Sequence, residues 1–401
     1  MKSLRTVRFW YPVCIALFMS FALGSCMNIL QEDHPATSYL VSSTKVGNDI
    51  PLQQLQAIVS QTNPTYLGLL KYGITAYKLV YRTKNWDGTT INASGLLIVP
   101  ATTNSVPVIG QQHGTIFTDA EAPSYFGPAS EAFQFSSIFA SNGYILACPD
   151  YIGFGESKNV IHTYEHRASQ AQTSLDMLRA AREYIKANSA IKWDSRLYLA
   201  GYSEGGYATM ALYKKMQEEV PTEFNLKAVS TGAGAYDKTN FTKAVVGLPS
   251  AGNPNWNRAF LWVLFTYNTI YSDLRRPMDY YFVEPYLTDV KTNGLAANLN
   301  VSIDQTFTTA FKQGVLLGTD KAFLAALADN DIYNWKPLIP LLLTHGDADQ
   351  QVYPLNTASA FAAMTAQGSQ VVIPNIVPGK THVETIPYWL DATYALFQKF
   401  Q

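Results

Sequence analysis

Gly201-Tyr202-Ser203-Glu204-Gly205 lies between the apolar run Leu197-Tyr198-Leu199-Ala200 and a helix-like stretch from Gly206 to Glu219. A G-x-S-x-G segment joining a strand to a helix is the pattern of a nucleophile elbow. The turn is sharp and its backbone strained. Glycines on both sides remove the Cβ atoms that would block close packing around an exposed serine hydroxyl. Ser203 is therefore the candidate nucleophile, and the rest of the chain is read for the scaffold and partners it needs.

Outward from the elbow, strand and helix signals alternate. Val106 to Gln111 reads as a strand, with a helix near Ala129 to Ala140, and Tyr144 to Ala147 as a strand. A long helix spans Glu165 to Asn188, where Ala171, Leu175, Leu178 and Ala181 recur at helical spacing. After the elbow's strand (Arg196 to Tyr202) and helix comes a strand from Leu226 to Ser230. The alternation resumes with strands Ile339 to Leu343 and Gln370 to Ile376 and helices Asn356 to Ala366 and Ile386 to Lys399. Such alternation implies an α/β fold, a mostly parallel sheet with helices on both faces. Upstream, Ile50 to Ser60 suits a short helix. Tyr77 to Arg82 and Ile91 to Val99 suit a hairpin about Asn85-Trp86-Asp87-Gly88.

The pattern breaks from Asp237 to Lys336. A structureless loop of that length does not fit a compact domain. Phe260, Leu261, Val263, Leu264 and Phe265 suit an apolar helix, and aromatic residues crowd the segment. It reads as a helical insertion, 237–336, dividing a core of 51–236 and 337–401. Its aromatics can form a core of their own, line a substrate pocket as a lid, or do both.

At the amino end, Lys2, Arg5 and Arg8 precede an apolar stretch from Trp10 to Leu23, then Leu23-Gly24-Ser25-Cys26. That is the layout of a bacterial signal peptide, too short for a membrane span. The Leu-Gly-Ser-Cys ending resembles a lipobox, which implies cleavage after residue 25, acylation of Cys26 and attachment to the cell envelope. Residues 26–50 read as a flexible polar spacer. Loss of residues 1–25 takes three of the 29 basic residues and none of the 30 acidic ones, leaving an acidic chain with no sign of nucleic-acid binding. Cys148 is then the one cysteine left for the folded part, so neither a disulfide nor a cysteine metal site can form.

A serine nucleophile needs a base, and the base needs an acceptor that fixes its tautomer. With an elbow of this kind the chain order is Ser, then Asp or Glu, then His. Two histidines follow Ser203. His382 lies in a loop between the last strand and last helix, where such a sheet collects function. His345 stands at a strand end and reads as loop support. The acid is Asp347 or Asp349, both just beyond strand 339–343. The oxyanion needs two backbone N–H donors. One is that of Glu204; the other belongs to the loop after strand 106–111, from Thr115 or, next to it, Gly114. His113 precedes the nucleophile and reads as a loop-shaping residue. Gly114, Tyr151 and Tyr202 are candidates to line the substrate pocket. His162 and His166 share an i,i+4 spacing but no third metal ligand is evident.

The chain resembles the secretory lipase-like group of α/β-hydrolases. The resemblance rests on Gln112-His113-Gly114-Thr115, Pro149-Asp150-Tyr151-Ile152-Gly153-Phe154-Gly155, Leu175 to Ala180, the elbow, Gly234-Ala235-Tyr236-Asp237, Asp349-Gln350-Gln351-Val352 and His382, from about residue 75 to the C-terminus. It implies Ser203, Asp349 and His382 as a triad, a helical lid at the break, and esterase or lipase activity on a small ester with no metal or other cofactor. Two other readings stand beside it. A serine peptidase on the same scaffold would need a site for an amino terminus or proline, and the sequence shows no acidic pair for one. A non-catalytic surface binder would have no need of an ordered Ser, Asp and His.

Overall fold

The computed structural model describes residues 38–400. The expectations for the signal segment, Cys26 and the first part of the spacer lie outside those residues. Nine strands form one sheet in the order β1-β2-β3-β5-β4-β6-β7-β8-β9. They are β1 (Leu40–Lys45), β2 (Ile74–Lys84), β3 (Thr90–Pro100), β4 (Val106–Gln112), β5 (Ile145–Pro149), β6 (Trp193–Tyr202), β7 (Asn225–Gly232), β8 (Leu341–Gly346) and β9 (Val372–Val377). Strands β4 to β9 run parallel; β1, β2 and β3 form an antiparallel ribbon that joins β5. This is the mostly parallel sheet of an α/β-hydrolase.

Side chains alternate across the sheet. On β6, Leu197 and Leu199 face one core, with Leu175 and Leu178 of α3 (Arg167–Ala187) and Tyr207 and Met210 of α4 (Glu204–Glu219). Tyr198, Ala200 and Tyr202 face the other, with Leu55 of α1 (Leu52–Thr62), Ile138 of α2 (Ser137–Asn142) and Trp389 and Leu396 of α12 (Ile386–Gln398). Ala360 and Met364 of α11 (Leu355–Ala366) pack with the first face. Both faces are apolar, so the central strands read as continuous hydrophobic runs.

Two local expectations change. Residues 40–45 are not spacer but an edge strand, LVSSTK, paired to β2. Its side chains are mostly exposed, so no apolar alternation marks it. Glu183 of α3 holds its start, accepting from the N–H groups of Tyr39 and Leu40 at 3.0 and 2.8 Å. The helix expected near 129–140 begins instead with a π-helical turn, Ala132–Ser136, before α2. Such wide turns recur at functional sites, and this one carries Glu131 at its start and Phe135 within it.

Between β7 and β8 stand six described α-helices: α5 (Lys238–Gly247), α6 (Pro254–Ile270), α7 (Met278–Tyr281), α8 (Tyr286–Asn293), α9 (Thr309–Leu316) and α10 (Lys321–Asp329). They bury a core that includes Phe241, Leu261, Leu264, Tyr281, Phe311 and Phe323. Val352, from the loop after β8, is buried in the same core.

The chain leaves β4 for β5 on one side and reaches β6 on the other. Neighbouring strands whose connections diverge open a crevice at their carboxyl ends, the usual ligand position in such sheets. Gln112 at the end of β4 is level with Gly201 near the end of β6. The loop after β4 and the elbow therefore share that crevice.

Candidate active site

Ser203 sits between β6 and α4 with φ 59° and ψ −125°, left-handed backbone that a residue with a Cβ rarely adopts. Packing holds it there. A Cβ at Gly205 would run into the backbone carbonyls of Gln112 and His113, and one at Gly201 into the Gly205 carbonyl and the Thr209 hydroxyl. The Ser203 N–H donates to the Gly232 carbonyl at 2.9 Å. From Gly201 to Met210 every residue is buried except Ser203. The turn thus presents one hydroxyl and hides its neighbours.

The Ser203 hydroxyl meets His382 Nε2 at 2.9 Å, and His382 Nδ1 donates to Asp349 Oδ2 at 2.6 Å. Asp349 Oδ1 accepts from the N–H groups of Gln351 and Val352 at 2.8 and 2.9 Å. His345 Nε2 lies 3.2 Å from Asp349 Oδ2 and donates to the Val352 carbonyl at 2.7 Å. Burial works against the Asp349 charge. The hydrogen bonds from His345 and His382 outweigh it and hold the carboxyl well below the usual carboxylate range. Asp347 is exposed and accepts from the Gly379 N–H at 2.6 Å, bracing the loop that carries His382. The Tyr202 hydroxyl donates to the His382 carbonyl at 2.7 Å while its side chain lines the cleft.

The loop after β4 closes the crevice. Gly114 and Thr115 line it beside Ser203. The Gly114 N–H donates to Glu131 Oε2 at 2.8 Å, whereas the Thr115 N–H meets no acceptor among the described residues; the Glu204 N–H opens α4. The Thr115 hydroxyl meets the Tyr164 hydroxyl at 2.8 Å. Tyr151 does not line the cleft, contrary to expectation. It is fully buried beneath the loop, its ring tilted against that of His113 with centroids 4.2 Å apart and its hydroxyl donating to the His113 carbonyl at 3.0 Å. His113 in turn meets the Gly114 and Asp150 carbonyls. Asp150 accepts from Ser94 Oγ and the Ser124 N–H at 2.5 and 2.8 Å. The Asp-Tyr-Ile-Gly-Phe-Gly segment therefore supports the loop rather than touching the crevice.

Three groups near the site carry no local sequence signal. The Glu204 carboxylate is buried behind the nucleophile and accepts from Gln170 Nε2 at 2.6 Å and His162 Nε2 at 2.9 Å. His166 instead meets Ser169, so the i,i+4 histidines do not converge. Glu131 lines the cleft and also accepts from Gln111 Nε2 at 2.6 Å. Withdrawal from water pushes its carboxyl up to about 7, against the pull of those two donors. Glu165 and Lys238 form a buried ion pair in the wall of a channel that starts at Ser203.

Two cavities meet at Ser203. One, of about 60 Å³, runs among Phe241, Val245, Phe260, Phe311 and Phe323 of the insertion. The other, of about 270 Å³, opens between Phe117, Glu131, Trp256, Val383 and Trp389. A polarised hydroxyl between a narrow apolar channel and a roomier cleft suits attack on a carbonyl that carries an apolar part on one side and a bulkier one on the other.

A sequence model of the secretory lipase family matches residues 131–392. Among solved structures, a Legionella pneumophila protein assigned as a hydrolase superposes with TM-score 0.78 at 26% identity, covering 90% of this chain and 98% of that one. The rice cell wall degrading esterase LipA from Xanthomonas oryzae gives 0.72 at 23% identity, with 90% and 97% covered. Candida antarctica lipase A in its closed state gives 0.61 at 19% identity, with 89% and 83% covered. No curated protein sequence matches the chain.

Two outcomes follow from this geometry. Gly205→Ala should lower stability by about 1–3 kcal/mol, as overpacking does, and reduce turnover further by displacing the Gln112-His113 backbone; urea denaturation and steady-state kinetics measure the two. Glu131 holds its proton more tightly in the folded chain than in the unfolded one, so its contribution to stability falls as pH rises from its ordinary range through about 7 and is flat above. The melting temperature of the wild type relative to Glu131→Gln should therefore fall between acidic and mildly alkaline pH. A constant difference would contradict this.

Proposed function

The chain belongs to the secretory lipase family, and from that premise we propose that it is a serine ester hydrolase working through a covalent acyl-enzyme. The observation that carries this reading is the continuous hydrogen-bonded path from Ser203 through His382 to Asp349. Ser203 Oγ attacks the ester carbonyl as His382 Nε2 takes its proton. Asp349 stabilises the imidazolium and keeps Nδ1 protonated. The N–H groups of Glu204 and Thr115 hold the oxyanion. His382 then gives the proton to the departing alcohol, and water, deprotonated by the same histidine, releases the acid. The acyl part occupies the channel within the insertion, and the alcohol part the wider cleft. On this reading the insertion is a lid whose inner face selects the acyl group.

Membership of a secretory family also supports export, and among the described residues no helix is long and apolar enough to cross a membrane. The Leu23-Gly24-Ser25-Cys26 segment supports attachment through acylated Cys26.

With a short-chain aryl ester, Ser203→Ala should lower kcat by about 10⁴-fold or more and Asp349→Asn by about 10³–10⁴-fold, while Asp347→Asn stays within a few-fold. Retained turnover in Ser203→Ala would remove the mechanism. Loss in Asp347→Asn with full activity in Asp349→Asn would move the acid. In bacterial expression, Cys26→Ser should shift the protein from the membrane to the soluble fraction and abolish labelling by a fatty-acid probe; unchanged fractionation and labelling would exclude the anchor.

A further inference from the structure

The channel that begins at Ser203 is apolar along most of its wall. Glu165 and Lys238 interrupt it. Both are buried, and Lys238 Nζ pairs with Glu165 Oε2. An ammonium group has three N–H donors. One goes to that oxygen, and the face of Tyr207 lies 4.7 Å from Nζ, leaving donor capacity over. Glu165 Oε1 accepts no hydrogen bond from the described residues. The pair is also held firmly. Glu165 has left-handed backbone, φ 48°, and its carbonyl accepts from the Tyr267 hydroxyl at 3.0 Å. Lys238 opens α5, directly after the Asp237 cap. A strained residue kept in place at a cavity wall is a mark of a functional position.

The unused donor and acceptor restrict what fits beside them. A plain methylene segment would strip water from two charges and return no hydrogen bond, which is costly. A carboxylate would meet Glu165 and an ammonium would meet Lys238, each with its own sign of charge. A hydroxyl can accept from Lys238 Nζ and donate to Glu165 Oε1 together. Resting on the reading of this channel as the acyl site, we propose that Glu165 and Lys238 form a subsite for a hydroxyl on the acyl group, so that the enzyme prefers hydroxyacyl esters to plain acyl esters of the same length.

The test is a set of p-nitrophenyl esters of straight-chain acids, each paired with counterparts hydroxylated at successive positions. In the wild type, kcat/KM for the hydroxylated ester should exceed that for its plain partner by about tenfold at one or two adjacent positions, the scale of a hydrogen bond to a charged group. Lys238→Met/Glu165→Met, which removes both charges together, should bring that ratio to one or below. Glu165→Gln, closer in shape, should reduce it as well and serves if the double variant does not fold. A wild-type ratio near one at every position overturns the subsite, and so does a ratio that both variants leave unchanged. Ser203→Ala is assayed with the same esters. Turnover retained there defeats the acyl-site reading itself, whereas an inactive Ser203→Ala beside a flat wild-type ratio defeats the hydroxyl subsite alone.

Discussion

Everything at this site depends on one close approach, that of the elbow to the end of β4. Gln112 is level with Gly201 in the sheet, and Gly205 lies directly against the Gln112 and His113 carbonyls. That contact fixes the left-handed backbone of Ser203 and brings the start of α4 against the end of β4, from which the loop carrying Thr115 leaves. Strain of this kind costs about 1–3 kcal/mol and persists where surrounding structure over-determines it. Here the surroundings are six parallel strands with apolar residues on both faces, among the least deformable parts of the fold. The price is met by the core, not by the loop.

The second constraint is electrostatic. Four carboxylates lie around the nucleophile, and each is treated differently. Asp349 receives two backbone N–H groups and stands against two imidazoles. Glu204 has an amide and an imidazole. Glu131 has only an amide and one N–H group, and burial dominates. Glu165 has an ammonium. The proposed acid is the one whose charge is best supported, as stabilising an imidazolium demands. Glu131 is the reverse case. Near neutrality it changes between a charged acceptor and a neutral one, and one of the two hydrogen bonds it receives comes from Gly114 in the loop after β4.

How much of this was legible depended on whether the signal was local. The central strands and helices α3, α4, α11 and α12 announce themselves through apolar runs and helical spacing. The order of a serine, an acid and a histidine follows from chemistry on a known kind of turn, which points to Ser203 and His382; the choice of Asp349 over Asp347 comes from the family resemblance. The edge strand β1 left no trace, because an exposed strand needs no alternation and its anchor, Glu183, is over 140 residues away. Glu131, the Glu165–Lys238 pair and the bond from His162 to Glu204 left no signal for the same reason: each acquires its meaning from partners 17 to 73 positions distant. Tyr151 was misplaced because a position just past a strand end can face the crevice or the underside of the next loop. The loop's own backbone, not its composition, decides between them.

The insertion looks in sequence like an addition to a finished core, and its packing argues otherwise. Val352 donates its N–H to Asp349, accepts from His345 through its carbonyl, and buries its side chain among the insertion's aromatics. Tyr353 continues the contact, its ring edge-on to Phe241 of α5 at 5.2 Å. The loop that orients Asp349 is thus packed on one side by the sheet and on the other by the insertion. A change of shape in the insertion would reach the carboxylate through two bonded atoms of one residue. The segment that lines the channel and the loop that holds Asp349 are therefore packed as one unit, so on the proposed reading the choice of acyl group and the geometry of the triad are coupled in this fold.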